Sequence, residues 1–410
     1  MLVKQTKILK WGLYLNSVYV LLLFLFSPDG INFQNILITS FLLFSAIAIF
    51  LVCVKKWNLI KGVSKNTRIA FYLLLFWGVI TIVQSFSVSI QDWVTNFGNI
   101  YMAYAWLMPL TFIAGLDIKD WKIVFKSIWF MFSLMFLAFI LLPFFNYNEE
   151  WILLLRPVNF ILLVGIYSFS DLKRYKVYLI VVLYLFAVIY LSSRRIDQLF
   201  LVIVLLFLIM EKLLSISIKK WVIKYILIGF ILVFTIIFTI GYEFVSNILA
   251  SIIEFHDSRT FLFQELFADM NQTEKFFGRG SLGTYYSPFF EHTRRYWEWM
   301  GRVGWPGDVA DRISIEVGYL QMILKGGFIL LILNVFIYFK AIYMAIFKSQ
   351  NQFIRRLGYF ILIITILTLV ELRPTFTPLF IIFWMAIGTV LKKEYRDMDD
   401  AEINNLIGIK

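Results

Sequence analysis

Residues 36–54 read ILITSFLLFSAIAIFLVCV, a run without a charged side chain that Lys55 and Lys56 follow at once. A helix needs about 20 apolar residues to cross the roughly 30 Å hydrocarbon core of a bilayer. Runs of this kind recur along the 410 residues of the chain, of which 61% are hydrophobic and only 16% are charged. Within lipid, only helices and closed barrels pair all of their backbone groups, and unbroken runs of this length indicate helices. The sequence therefore predicts an all-α integral membrane protein and excludes a globular cytosolic enzyme, in which about a quarter of the residues would be charged.

The hydrophobic runs predict about 12 transmembrane helices and one large extracytoplasmic loop between helices 9 and 10. The predicted spans are Ile8–Phe26, Ile36–Val54, Ala70–Phe86, Ile100–Leu116, Val124–Leu142, Trp151–Phe169, Val177–Leu191, Ile196–Met210, Trp221–Ile240, one within Gly318–Phe347, Leu357–Val370 and Phe376–Leu391. The chain then divides into helices 1–9 over residues 1–249, the loop over 250–312, helices 10–12 over 313–391 and a cytoplasmic tail over 392–410.

The basic residues indicate which side of the membrane each end of a span faces. Lysines crowd one set of flanks, as at Lys55–Lys56, Lys219–Lys220 and Lys392–Lys393. By the positive-inside rule this side faces the cytoplasm, which places both termini of a multi-pass protein inside the cell. The basic residues of the other side are arginines except for Lys275: Arg156, Arg194, Arg195, Arg259, Arg279, Arg294, Arg295, Arg302, Arg312 and Arg373.

The arginines of the outer side indicate an anionic ligand. A guanidinium fork binds phosphate or carboxylate through two parallel hydrogen bonds and tolerates partial loss of water better than a lysine ammonium does. Arg156, Arg194, Arg195 and Arg373 also lie at membrane-interface depth, where charged residues are costly and usually mark a site or pair with one another. The alternatives are ion pairs with Asp197 and Glu371, or contacts with lipid phosphates.

The composition gives little support to metal or cofactor chemistry. The single cysteine, Cys53, excludes a disulfide framework, and the two histidines leave little for a zinc or iron site. No GxxxxGK[ST] segment occurs, and the short cytoplasmic loops leave no room for a nucleotide-binding domain. The net charge of +12 is distributed as a membrane topology requires. We therefore expect no cofactor, no metal and no nucleic-acid partner.

The large loop combines an arginine, an aromatic segment and a glycine-rich run. Phe263 and Phe267 follow Arg259 at helical spacing and predict a short amphipathic helix. In the run 278–283, which reads GRGSLG, Gly278, Gly280 and Gly283 predict close backbone approach or positive φ angles. No strand precedes this run, so it does not indicate a dinucleotide-binding fold. The aromatics of the loop either stack on sugar faces or seat the loop on the membrane interface.

Glu316 opens the apolar stretch that follows the loop. A carboxylate whose pKa is raised by partial burial there would suit a general base. A structural role as the partner of Arg312 or Lys325 is equally consistent with the spacing.

Three local signals together resemble the O-antigen polymerase and ligase superfamily of bacterial surface polysaccharide assembly. Ser192–Arg195 is similar to the family's Ser-Arg segment at the outer end of a central hairpin. Arg259, with the aromatic segment and the glycine run after it, resembles the stretch that starts the family's periplasmic loop. Glu316, followed by Leu320 and by Gly326–Gly327, resembles the motif after that loop. Ligases of the group usually carry His where this chain has Glu316, so the chain looks more like a polymerase.

The resemblance implies a metal-independent glycosyltransferase of the bacterial cytoplasmic (inner) membrane that acts on its outer face in polysaccharide or lipopolysaccharide biosynthesis. The donor would be a glycan on undecaprenyl diphosphate and the acceptor a repeat unit on the same lipid. Membrane lipid and a chain-length regulator protein would be further partners. The resemblance assigns catalysis to Glu316, Arg259 and Arg195, diphosphate binding to Arg156, Arg194, Arg195, Arg279 and Arg373, and sugar binding to Tyr285, Tyr286 and Tyr319.

Two other functions stay open at this point. A ligase would move the glycan to a lipid-core or protein acceptor. A transporter or flippase of lipid-linked oligosaccharides would carry ionisable residues near the bilayer midplane, along a path between the leaflets. Most charges of this sequence collect at the two faces instead, with Arg156, Lys325 and Lys340 as the ambiguous exceptions.

Overall fold

The computed structural model describes residues 2–26, 33–90, 92–93, 107–141, 156–165, 195–214, 260–289, 291 and 311–407. This part of the chain is mostly helical, and the protein is a helical membrane protein. The helices are α1 (Leu2–Phe26), α2 (Phe33–Lys55), α3 (Lys65–Val83), α4 (Thr111–Gly115), α5 (Trp121–Leu141), α6 (Arg156–Phe160), α7 (Arg195–Leu214), α8 (Thr260–Asp269), α9 (Gln272–Phe277), α10 (Gly318–Lys348), α11 (Gln352–Val370), α12 (Pro378–Leu391), α13 (Lys393–Asp397) and α14 (Asp400–Ile407). Strands β1 (Tyr285–Tyr286) and β2 (Asp311–Arg312) pair antiparallel.

Four of the described helices are long and apolar enough to cross a membrane. They are the segments Leu37–Lys55 of α2, Lys65–Val83, Gly318–Lys348 and Gln352–Val370, and they coincide with predicted spans 2, 3, 10 and 11. Helices α1, α5, α7 and α12 begin and end near predicted spans 1, 5, 8 and 12. Predicted spans 7 and 9 lie outside the described residues. The helical fold class is therefore confirmed, whereas the count of 12 and the single large loop stay predictions.

The fourth predicted span, Ile100–Leu116, does not end as one continuous α-helix. Its described part is a turn over 107–110 followed by the short helix α4. Backbone N–H groups here bond three residues back, for example from Thr111 to Met108 and from Phe112 to Pro109. Pro109 has no N–H to donate, and its ring clashes with the preceding turn of a regular helix. The apolar composition of the segment carried no sign of this change.

Helix α12 lies at the centre of the bundle. All of its residues are buried, and it packs against α4, α10 and α11. Its contact with α4 is backbone to backbone, since a Cβ on Gly388 would come within 2.1 Å of the Phe112 carbonyl oxygen and one on Gly115 within 1.9 Å of that of Met385. Close approach through glycine is typical of helices that associate within lipid. By contrast, α3 and α10 leave long rows of apolar side chains exposed.

Segments that the positive-inside rule assigns to the cytoplasm meet at one end of the bundle. Lys56 forms ion pairs with Asp117 (2.7 Å) and Asp120 (2.6 Å), and the Tyr395 hydroxyl accepts a hydrogen bond from the Ile118 N–H at 3.3 Å. A β-bridge between Val63 and Lys392 joins the same region. The chain segments predicted to be cytoplasmic thus lie together, and the large loop contacts the opposite end of α3.

Candidate functional site

The glycine-rich run lies directly on a break in α10. The N–H groups of Arg279 and Gly280 donate to the carbonyls of Leu324 and Lys325 at 2.8 and 3.1 Å. Gly278 and Gly280 have φ angles of +77° and +87°, and a Cβ on Gly278 would lie 2.5 Å from the backbone of α10. The predicted positive φ angles, which only glycine adopts without strain, are confirmed at Gly278 and Gly280. Gly283 has no positive φ, but a Cβ there would lie 2.5 Å from the Arg279 carbonyl oxygen, so the predicted close approach is confirmed there.

The other side of the run is held by the outer end of α3. The Ser281 N–H donates to the Thr81 carbonyl at 2.8 Å, and the Leu282 N–H donates to the Ser85 hydroxyl at 2.9 Å. Each backbone N–H over 278–283 has an acceptor within the protein. The run therefore fixes the loop to the bundle and leaves no backbone donor free to cradle a phosphate.

Arg279 is committed to the loop's own ion pairs. Its guanidinium pairs with the carboxylate of Asp269, and it also contacts Glu274 at 3.0 Å and the Thr284 carbonyl at 2.9 Å. Burial disfavours the cation, but Glu274 and Asp269 outweigh burial and raise the pKa of Arg279 above its ordinary value. This is the loop ion pair that the sequence left open as the alternative, and it orders the turn between α8, α9 and β1.

Glu316 lies at the entrance to α10, where two arginines act on its charge. Arg312 of β2, four residues earlier, pairs with its carboxylate, and Arg373 exerts a second attraction from the hairpin before α12. Burial opposes ionisation of Glu316, yet Arg312 and Arg373 prevail and hold its pKa below the ordinary value. The expectation of a raised pKa is therefore wrong, because the sequence did not reveal the second guanidinium. The Glu316 side chain is 38% exposed to solvent.

Tyr285 and Ser314 complete this cluster. The β1–β2 pairing sets Tyr285 opposite Arg312, and the Arg373 guanidinium donates to the Ser314 hydroxyl at 3.2 Å. Burial raises the pKa of Tyr285 to about 12, and the negative charges of Glu316 and Glu265 add to this effect against the opposing charge of Arg312. We refer to Tyr285, Arg312, Ser314, Glu316 and Arg373 as the Glu316 cluster.

The three tyrosines expected to bind sugar have different surroundings. Tyr285 is fully buried, so no sugar ring can stack on it in this conformation. Tyr286 is 40% exposed, and its hydroxyl bonds to the Glu291 carboxylate, so its ring is available at the surface. Tyr319 is partly buried against the small apolar core beneath α8.

Arg156 lies apart from this cluster, in a buried pair with Asp197. The Arg156 Nε and Nη2 atoms donate to the two carboxylate oxygens of Asp197 at 2.7 and 3.2 Å. This ion pair joins α6 to α7, and it is one of the alternatives that the sequence left open. Arg194 and Arg259 lie outside the described residues. Arg195 begins α7, and its side chain is not among those described.

The structure thus brings Glu316, Arg373 and Tyr285 together and adds Arg312 as the direct partner of the carboxylate. The pair with Arg312 is one of the two structural partnerships that the sequence left open for Glu316 on spacing. Within the described residues, no group of three or more His, Cys, Asp or Glu side chains could hold a metal ion.

Lys325 is a further buried cation that the sequence did not place. Its side chain is almost fully buried, and its ammonium donates to the Gly283 carbonyl at 2.8 Å. Because Gly283 precedes β1 by two residues, this bond joins the α10 break to the strand that carries Tyr285. Trp77 of α3 reaches the same break and donates to the Gly326 carbonyl at 2.7 Å.

Comparisons with known proteins identified no matching family model, curated protein or solved structure. The resemblance to the polysaccharide polymerase and ligase superfamily accordingly stays a prediction.

Proposed function

We propose that this protein polymerises lipid-linked polysaccharide repeat units at the outer face of the bacterial cytoplasmic membrane. The glycan would move from undecaprenyl diphosphate to the acceptor sugar of a second lipid-linked repeat unit. The observation that carries the proposal is the meeting of Glu316 with Arg312 and Arg373 at one end of a membrane-spanning helix, on a surface that a lipid-borne anion can reach. The predicted resemblance supports the same reaction.

The reaction needs a proton acceptor and a stabiliser for the departing diphosphate. An acceptor hydroxyl attacks the anomeric carbon of the donor, the bond from that carbon to the phosphate oxygen breaks, and the diphosphate leaves with the bonding electrons. Arg312 and Arg373 would stabilise the charge that develops on the diphosphate, which is a preorganised electrostatic contribution. Glu316 would take the hydroxyl proton as general base. No oxidant, nucleotide or metal enters this balance.

Because Glu316 is ion-paired before a donor binds, the proposed reaction needs one additional step. While Arg312 and Arg373 hold its pKa low, Glu316 is a weak base. A bound diphosphate would compete for both guanidinium groups, since it offers more charge and more acceptor oxygens than one carboxylate. Release of Glu316 from these pairs raises its pKa toward the range of an effective base. Donor binding would thus activate the base.

The test uses purified protein in lipid nanodiscs with a synthetic undecaprenyl-diphosphate repeat unit. Wild type should form a ladder of lengthened glycans. Glu316→Gln should reduce turnover by about 10²- to 10⁴-fold, the usual contribution of a general base, without weakening donor binding. Arg373→Lys should also impair turnover, because the ammonium keeps the charge but loses the planar fork.

A matched control is Arg355→Lys, a half-buried arginine in the first turn of α11 at the opposite end of the bundle, which should retain wild-type turnover. Wild-type turnover in both Glu316→Gln and Arg373→Lys would refute the proposal. A folded protein that binds the donor but yields no ladder would also refute it, and transfer only to a lipid-core or protein acceptor would identify a ligase.

A further inference from the structure

Helices α8 and α9 of the loop expose large aromatic side chains. Phe263, Phe276 and Phe277 are 44%, 54% and 45% exposed. Phe263 stacks on Phe267 with ring centroids 4.4 Å apart, and both Phe267 and Phe276 contact Phe328 of α10 at 6.0 and 5.9 Å. We refer to Phe263, Phe267, Phe276, Phe277 and Phe328 as the aromatic ridge. Such a contiguous exposed apolar surface usually marks an interaction site.

The aromatic ridge continues into the exposed apolar face of a membrane-spanning helix. Phe328 starts a row of α10 side chains at steps of three or four residues, which places them on one face of the helix. The exposed members of this row are Ile332, Phe336, Phe339, Tyr343 and Phe347. Since α10 is long and apolar enough to cross a membrane, this face contacts lipid, and the ridge extends it toward the loop.

The break in α10 fixes the level of the ridge relative to the bilayer. Gly326 and Gly327 have non-helical angles, and residues 328–348 follow as an unbroken helix. At 1.5 Å per residue this segment is about 31 Å long, which matches the roughly 30 Å hydrocarbon core. If this segment spans the core, Phe328 lies where the hydrocarbon meets the headgroups; α9 packs against α10.

The basic residue at this surface suits a headgroup. The Lys275 ammonium lies 5.6 Å from the centre of the Phe267 ring, next to the exposed Phe276. Lysines with apolar stems commonly extend their charge to lipid phosphates at this depth, and aromatic rings gather at the same level. Lys275 is also the one lysine among the basic residues assigned from sequence to the outer side.

We propose that the aromatic ridge inserts into the interfacial region of the leaflet on the loop's side, with Lys275 at the phosphates. The occupant of this surface is the phospholipid bilayer itself. The insertion holds α8 and α9, and through the glycine-rich run also Tyr285, at the level where a lipid-borne substrate carries its headgroup. This inference does not depend on glycosyl transfer.

Spin labels measure the depth of this surface directly. Cys53→Ala removes the native thiol, and Phe263→Cys, Phe276→Cys or Gln264→Cys then provides one labelling site in full-length protein in phospholipid nanodiscs. Gln264 is the matched control, because it is exposed on α8 about 100° around the helix from Phe263. Size-exclusion profiles before and after labelling verify that each variant is folded.

For each label we compare the rate of collision with oxygen, which concentrates in lipid, to the rate of collision with a water-soluble nickel chelate. This ratio should be several-fold higher for the labels at Phe263 and Phe276 than for the label at Gln264. Equal ratios at all three positions would overturn the proposal, since the ridge would then face water. Low collision with both reagents would also overturn it, because a protein surface would cover the ridge. The measurement needs no substrate, so either failure leaves the proposed reaction unaffected.

Discussion

The contact between the loop and the α10 break can be tested by giving Gly327 a side chain. Gly327 has a φ of +68° and a ψ of −171°, a region that only glycine commonly occupies. A Cβ there would lie 2.0 Å from the Phe276 carbonyl oxygen, whereas ordinary contact begins at 3.4 Å. The loop and helix must therefore separate by about 1.4 Å in Gly327→Ala. Backbone strain costs about 1–3 kcal/mol and overpacking a further 1–3 kcal/mol, so we expect a total of about 2–6 kcal/mol.

The loop can avoid the overlap by leaving α10, and trypsin would detect this. We expect faster cleavage after Lys275 and Arg279, located by mass spectrometry in nanodiscs, together with a lower thermal unfolding midpoint. Gly62→Ala is the matched control, because the nearest atom to its Cβ would be the flexible end of Lys392 at 3.4 Å. Cleavage and unfolding equal to those of Gly62→Ala would refute the backbone contact on which the position of the loop depends.

Three further predictions concern buried charges. Burial raises the pKa of Asp120 to about 6 against the attraction of Lys56. The native state therefore binds more protons than the unfolded state between pH 3.8 and about 6, and the free energy of unfolding should fall as pH rises through this window. The thermal midpoint of Asp120→Asn should lack that decline, and parallel curves for both proteins would contradict the assignment. Asp197→Asn should lower the free energy of unfolding by about 3–5 kcal/mol, because the buried Arg156 loses its charged partner. The control Asp311→Asn, at an exposed position, should lower it little. Equal midpoints for these two variants would show that the pair adds nothing. Lys325→Met should leave the thermal unfolding midpoint unchanged or raise it, since the ammonium has no carboxylate partner among the described residues and burying such a charge is costly. A lower midpoint would show that the hydrogen bond from Lys325 to Gly283 stabilises the protein by more than this cost.

Hydropathy predicted the long helices because the signal for each is local. The run 36–54 with Lys55 after it corresponds to the end of α2, and the span ending at Leu391 corresponds to the end of α12. A bilayer selects for length and apolarity, and both can be counted along the chain. Breaks within apolar segments are harder to predict, as the turn at Pro109 and the interruption at Gly326–Gly327 demonstrate. Glycine is frequent in membrane helices that remain regular, so its presence alone does not indicate a break.

The choice of ion-pair partners could not be predicted, because it depends on packing between distant segments. The pairing of Arg156 with Asp197 was one of several alternatives, and the structure alone selects it. The approach of Arg373 to Glu316 joins positions that are far apart in the sequence. This long-range contact reverses the expected direction of the Glu316 pKa shift. The position of Glu316 at the start of an apolar stretch predicted a pKa raised by burial, and the charges of Arg312 and Arg373 lower it instead.

The ion pairs also bear on how the proposed enzyme would avoid wasteful hydrolysis. A diphosphate-linked sugar is activated, so a strong base permanently exposed beside it would deliver water as readily as an acceptor hydroxyl. In the Glu316 cluster the carboxylate pairs with Arg312, and the charge of Arg373 also keeps its pKa below the ordinary value, so it is a weak base. In the proposed reaction it would gain basicity when an anion with greater charge takes over these guanidinium groups. Arg312 and Arg373 would then restrain the base before the donor binds and stabilise the leaving group afterwards, which is why their fork geometry matters as much as their charge.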